Sequence, residues 1–374
     1  LWSQIGGNYA TGDCQSRKLG VPPVPDQVSA KAVAFASSVI VVALTFVLLI
    51  EGRDLLIPIA VAIMIWYLLN ALVRGFHALP LGTRHLPNWV SLVLAIVTVL
   101  VGLSLVAKLV GDNIAQVSAA APGYQANIEA LIAKGYSLAG FEQPPDIAGV
   151  FEQIDLRTLA TRFASAAASF AGNFGIVLIY VLFLLFEQKG FDKKLRALFP
   201  DTVRRDEVRT LLQRMQKQIQ TYVAIKTLTS VLTGAISYAV LKIVGVDFAE
   251  FWGFIIFLLN YIPTVGSLLG IIFPALLALI QFSTPVPFFI VLGGIGTVQF
   301  LIGNILEPRL TGSSLNISPL VVILSLALWG SIWGIVGMFL CVPLTVIAMI
   351  VFSYFERTRP IAILLSGDGR IEHR

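Results

Sequence analysis

Glu307 and Arg309 flank Pro308 at the end of an apolar run, and between Phe251 and Phe355 they are the only acid and base in 105 residues. A charge at the centre of a bilayer costs roughly 2.5–3.5 kcal/mol on insertion scales. A pair kept in such a stretch either forms a buried ion pair that anchors a gate or meets a substrate, or sits at the membrane–water interface, where the cost is small. Neutral polar groups accompany it. Asn260, Tyr261 and Thr264 surround Pro263, and Gln299 and Asn304 precede Glu307 on the same apolar run. Their amides and hydroxyls suit an uncharged, hydroxylated solute. The alternative is that they bind helix to helix, at roughly 0.6–2 kcal/mol per contact.

Other chemistries lack their residues. No G-x-x-x-x-G-K-[ST] loop is present for an ATP engine, and no H-E-x-x-H or G-x-S-x-G for a protease or lipase. Cys14 and Cys341 make no disulfide framework, and Cys341 reads as a small buried hydrophobe; His77, His85 and His373 show no metal-ligand spacing. The expectation is a protein that is not an enzyme, holds no cofactor or metal, and moves a small molecule down a gradient or against H+ or Na+.

The elements that position these residues are membrane helices. The chain is 57% hydrophobic and 13% charged, with a mean hydropathy of +0.85, against roughly 25% charged in soluble domains. The class is therefore all-α, a polytopic integral membrane protein in a lipid bilayer. Runs such as VVALTFVLLI are apolar on every side, unlike barrel strands. Full-length spans are predicted over 33–50, 55–73, 89–107, 170–186, 227–241 and 286–305. The fifth is short, with Lys226 and Lys242 able to snorkel at its ends.

Two further segments are interrupted. In 251–280, about twelve apolar residues reach Asn260-Tyr261 before Pro263, Gly266 and Gly270 intervene. In 318–351 the break falls at Gly330, Gly334 and Gly337. Proline removes a backbone donor and glycine accepts turns other residues resist. Unpaired backbone at membrane depth must be buried in protein or line a wet cavity, so a pair of such breaks points to a transport site. The bland reading is two ordinary hairpins turning at the membrane surface. Re-entrant hairpins give six full spans, and crossing arms give eight.

Charge sets the orientation. Residues 188–226 hold ten Lys or Arg, whereas 111–169 hold three against six acids. The positive-inside rule places 188–226 in the cytoplasm with both termini, and 111–169 outside. The same rule, rather than nucleic-acid binding, accounts for the net charge of +5. The expected divisions are a poorly ordered 1–29, helices 1–3 over 30–110, an extracytoplasmic amphipathic cap over 111–169, helix 4 over 170–187, a basic amphipathic helix over 188–226, the transport region over 227–355 and a cytoplasmic tail over 356–374. The 188–226 helix starts at Pro200-Asp201 and carries a stripe of Val208, Leu211, Leu212, Met215, Ile219, Tyr222 and Val223, suited to the membrane surface or to a contact between subunits. Short helices around Ile128 and Leu156 flank Pro144-Pro145 in the cap.

LNYIPTVGSLLG, followed by ILEPRLTGSSLNISPLVVILSLALWGSIWGIVGMFLCVPLT, resembles the autoinducer-2 exporter family of bacterial membrane permeases. The resemblance covers roughly 30–360 and is most specific over 251–345, where the Asn-Tyr-Ile-Pro break, Glu-Pro-Arg-Leu-x-Gly and the Gly-rich segment before Cys-Val-Pro follow in the family's order. It implies a bacterial inner-membrane location, about eight membrane segments, a homo-oligomer (a pentamer) and export of a small solute such as the furanosyl signal autoinducer-2. Other members are described as sodium/proton antiporters. The expected function is a secondary exporter working by alternating access, with Asn260, Tyr261, Pro263, Thr264, Gly266, Gln299, Asn304, Glu307, Arg309, Gly330 and Gly334 along the path. Its rival is a monovalent cation/proton antiporter using Glu307.

Overall fold

The structure is a computed structural model that describes residues 27–77, 86–102, isolated positions from 104 to 137, 174–188, 190–282, 284–312 and 316–369. The expected disorder of 1–29 and the cap over 111–169 therefore fall almost wholly outside the described residues. Among those described, regular structure is helical, apart from one isolated bridge between Ile317 and Ser366.

Residues up to Arg53 form one compact unit and Asp54 onward a second. In the first, α1 (Gln27–Glu51) carries exposed Phe35, Val41, Leu44 and Leu48, an apolar surface suited to lipid. In the second, α2 (Arg53–His77), α3 (Asn88–Gly102) and α4 (Phe174–Glu187) meet through Ala62, Leu69, Ala95, Val177 and Val181. The small residues let the helices approach closely, as apolar helices in lipid require. A bend of 68° separates α4 from α5 (Phe191–Leu198).

Next comes α6 (Thr202–Val244), 43 residues without a break. Asp201 caps its start, accepting from the Val203 backbone N–H, and Gly245 ends it in a left-handed conformation (φ 82°). The predicted start therefore stands, but the boundary at 226/227 marks no break. No proline interrupts 202–244, so the helix continues from its basic half into its apolar half. It is about 65 Å long, more than twice a hydrocarbon core of about 30 Å. Its basic half is thus coaxial with its apolar half in one continuous helix. Ile219, Tyr222 and Val223 of the apolar stripe are buried, with Leu211 and Met215 packed alongside, against Tyr67 and Leu68 of α2 and Leu326, Val342 and Val346 further on.

The two predicted breaks are helical hairpins. The first joins α7 (Ala249–Leu259) to α8 (Val265–Gln281) through 260–264. The second lies within α11 (Pro319–Tyr354), where Gly334 leaves the helical region (φ 61°, ψ −141°) and the chain reverses, so that Trp329 Nε1 donates to Thr345 Oγ1 at 3.3 Å. Between the hairpins, α9 (Val286–Leu301) passes through a π-turn, Ile302–Leu306, into α10 (Glu307–Thr311). A short α12 (Arg359–Leu365) follows.

Four helical stretches are long and apolar enough to cross a membrane, Arg53–His77, Thr202–Val244, Val286–Thr311 and Pro319–Tyr354, or five if α4 and α5 form one bent span. The other apolar stretches, Phe35–Glu51, Asn88–Gly102, Ala249–Leu259 and Val265–Gln281, are shorter, so the described residues hold four or five full-length segments where about eight membrane segments were expected. At 11 residues, α7 is about 16 Å long, half of what a crossing needs.

Candidate functional site

One face of α6 is polar and hidden. Tyr222, Lys226, Thr229, Ser230, Thr233 and Ser237 recur at three- and four-residue spacing and all are buried. Two of the hydroxyls are satisfied within the helix, Thr229 by the Lys226 carbonyl (3.1 Å) and Thr233 by the Thr229 carbonyl (2.8 Å). The tip of the first hairpin covers this face. Asn260 Nδ2 donates to Ser230 Oγ at 3.0 Å, and the Tyr261 hydroxyl donates to Thr227 Oγ1 at 2.7 Å.

The tip is held closed by Gly266, since a Cβ there would stand 1.7 Å from the Leu259 carbonyl oxygen. Two residues earlier, Thr264 takes a positive φ of 62°, rare for a β-branched residue. Pro263 needs no N–H partner within this turn.

Lys226 Nζ lies 2.8 and 3.0 Å from the two carboxylate oxygens of Glu307. The side chains are 9% and 23% exposed, so the pair is largely withdrawn from solvent. Pro308 accounts for how Glu307 is presented. A proline in a helix cannot donate to the fourth carbonyl back and its ring clashes there. The chain relieves this with a π-turn, in which the Glu307 N–H reaches back five residues to the Ile302 carbonyl. Arg309, two residues on, is exposed. Residues two apart on a helix point in different directions, so the ion pair expected of Glu307 forms with Lys226 instead. The snorkelling expected of Lys226 is corrected by the same contact, whereas Lys242 is exposed and meets Glu250 at 2.9 Å.

The pair opens onto a cavity of about 420 Å³, lined by Tyr222, Lys226, Pro263, Gly303, Glu307, Pro308, Gly312 and Asn316, with Ile317, Val322 and Val342 as an apolar wall. Opposite charges at contact leave it near neutral, while hydroxyl, amide and backbone groups supply donors and acceptors. A smaller cavity of about 170 Å³ among Leu69, Val99, Val181 and Leu185 is wholly apolar and belongs to helix packing.

Of the residues singled out by sequence, Pro263 and Glu307 line the cavity. Asn260, Tyr261, Thr264 and Gly266 build the tip beside it. Gln299 is buried beside Gly270, and its Nε2 has no partner among the described residues. Asn304 is exposed on the π-turn. Gly330 and Gly334 lie at the second tip, Gly330 against Met338. Sequence reading missed Lys226, Tyr222 and Asn316 as cavity residues. The signal was the helical spacing that puts Tyr222, Lys226 and Ser230 on one stripe.

The hairpins approach from opposite ends. The bases of α7 and α8 lie at the Gly245 end of α6, where Gln281 Oε1 accepts from the Asp247 N–H, Tyr124 donates to Asp247 and Asn127 to the Gln281 carbonyl. The second hairpin begins beside the cavity, at Ile317 and Val322. Their tips pass each other where Tyr261 stacks on Phe339, ring centroids 4.5 Å apart. Cys341, fully buried as expected, lies in the cluster around this contact with Ile262.

The AI-2E family transporter model matches residues 38–357. The chain is 31% identical over 328 residues to the AI-2 transport protein TqsA of Escherichia coli (strain K12), covering 84% of this chain and 90% of TqsA. It is 28% identical over 330 residues to the putative transport protein YhhT of the same organism, covering 86% and 91%. A putative transport protein of Borreliella burgdorferi is 33% identical over 209 residues, 56% of this chain and 58% of its own. The match runs through both hairpins and the Glu-Pro-Arg motif, and the chain belongs to the AI-2E transporter family.

Proposed function

We propose that this protein is a secondary exporter of a small polar metabolite of the autoinducer-2 kind, carried by alternating access through the Lys226–Glu307 cavity. The observation that carries the reading is that cavity, about 420 Å³, within the range of small-molecule sites and set against a broken hairpin. A near-neutral site rich in hydrogen-bonding groups suits a hydroxylated solute. TqsA, named as an AI-2 transport protein, supplies the substrate class.

The membrane arrangement follows from lengths and charge. With α7 too short to cross, the first hairpin is re-entrant from the Gly245 end, and the reversal at Gly334 makes the second its counterpart from the cavity end. Six full spans remain, and the basic half of α6 projects into the cytoplasm with both termini. The location is the bacterial inner membrane, and the assembly is the pentamer the family resemblance implies, with α2–α4 in the scaffold.

Cation/proton antiport is the second reading. It is favoured by one observation: Glu307 is the only carboxylate in the 251–355 region and stands in the cavity. Proteoliposomes separate the two. The native protein is expected to release trapped autoinducer-2, and Glu307→Gln to slow that flux about tenfold or more. Absence of solute flux in the native protein, with an ion-driven pH change that Glu307→Gln abolishes, overturns export in favour of antiport.

A further inference from the structure

The cavity wall at 316–318 is held from behind by the C-terminal segment. Ser318 N–H donates to the Leu365 carbonyl at 3.1 Å, and Gly367 N–H to the Asn316 carbonyl at 3.0 Å. With the Ile317–Ser366 bridge, this makes a short antiparallel pairing. The Asn316 side chain completes it. Its Nδ2 donates to Asp368 Oδ1 at 2.7 Å, and its Oδ1 accepts from Gly367 N–H at 3.2 Å. Asn316 sits at a positive φ of 39°, which asparagine tolerates better than most residues. Behind the pairing, Ser366 Oγ accepts from Gly369 N–H at 3.0 Å, a turn that sets Asp368 in place. Ala362 anchors α12 with no exposed surface.

Asn316 and Ile317 also line the cavity, and Ser318 caps the first arm of the second hairpin. The strap therefore fixes both a wall of the site and the root of a hairpin. A bond to a carboxylate is stronger than a neutral one, so the Asn316–Asp368 contact adds a charge-assisted side-chain bond to the hold.

We propose that Asp368 is a positioning residue for the cavity: through Asn316 it holds the 316–318 wall against the Lys226–Glu307 pair, and the C-terminal segment is a strap whose release opens the site. This rests on the reading of the cavity as the transport site. Asn316 has one amide to donate and Asp368 one carboxylate to accept, so exchanging the two side chains preserves the contact with reversed polarity. Asn316→Asp alone sets two carboxylates against each other and breaks it.

The test uses the full chain, in lipid nanodiscs for labelling and in proteoliposomes for flux. A reporter, Val322→Cys, is placed in the cavity with Cys14→Ser, and the buried Cys341 gives the background. The rate of labelling by a membrane-impermeant maleimide is measured beside the autoinducer-2 concentration that half-saturates flux. Asn316→Asp is expected to raise the labelling rate about fivefold and the half-saturating concentration with it. The double variant Asn316→Asp/Asp368→Asn is expected to return both toward native values, a rescue that a merely structural lesion would not give. If Asn316→Asp does not accumulate in membranes, the chain ended after Gly367, which lacks Asp368, is expected to show the same rise. Unchanged labelling in the single variant or in the shortened chain, or a double variant labelled as fast as the single, overturns the strap. Labelling that responds as expected while the native protein moves no solute leaves the strap standing and removes the transport reading instead.

Discussion

Lys226 and Glu307 stand 81 positions apart in sequence and meet through two contacts of 3.0 Å or less. Removing one member of a withdrawn pair leaves the other uncompensated, at about 3–5 kcal/mol when burial is complete. The 23% exposure of Glu307 to cavity water lowers the cost here. Lys226→Met is expected to destabilise the protein by about 2 kcal/mol, and so is Glu307→Gln. Combining them should recover most of one loss, a coupling of about 1–2 kcal/mol. Thermal unfolding of detergent-purified variants measures the cycle, and strictly additive losses would show that the two side chains do not support each other. The carboxylate was legible in sequence because it stands alone in 105 residues. Its partner was not, because nothing local links position 226 to position 307, and adjacency favoured Arg309, which a helix turns to another side.

At the scale of elements, the hairpins were legible and the joints around them were not. Pro263, Gly266 and Gly334 punctuate apolar runs, and each falls where the chain reverses. The π-turn before Glu307 left no such mark, since Pro308 can break a helix, kink it or be absorbed as here. The unbroken α6 was split by the reading because its polarity changes at Lys226, and polarity follows the surroundings rather than the backbone. Glycines in these elements differ sharply in what they do. Gly266→Ala must push the Leu259 carbonyl away from a Cβ placed 1.7 Å from it, and is expected to cost about 3 kcal/mol and loosen the tip. Gly293 has nothing within 4 Å of its would-be Cβ. Gly293→Ala should therefore be neutral or stabilise α9 by up to about 1 kcal/mol through helix propensity alone. Melting temperatures of the two variants decide it. Equal shifts would mean that the tip is not sterically closed.

At the scale of the transport region, two hairpins rooted at opposite ends meet at one stacked ring pair, and this arrangement sets how a site between them could change sides. The first is tied to α6 through Asn260–Ser230 and Tyr261–Thr227, and the second packs on α6 through Leu326, Val342 and Val346. Exposing the cavity to one side and then the other requires the tips to slide or part, because a packed interface has discrete arrangements rather than continuous ones. Tyr261 and Phe339, with ring centroids 4.5 Å apart, are where that motion must show. Tyr261 stood out in sequence beside Pro263, but Phe339 did not, since it sits in a run of apolar neighbours, and their meeting depends on the opposed roots of the hairpins. Tyr261→Cys with Phe339→Cys, joined by a short bis-maleimide, is expected to hold the tips together and stop flux in proteoliposomes. Treated protein in which only one of the two cysteines is present should transport like its untreated counterpart, which separates the tether from loss of the Thr227 bond. If the tethered protein carries solute at the untethered rate, the tips do not move past each other, and access to the Lys226–Glu307 cavity must change by another route.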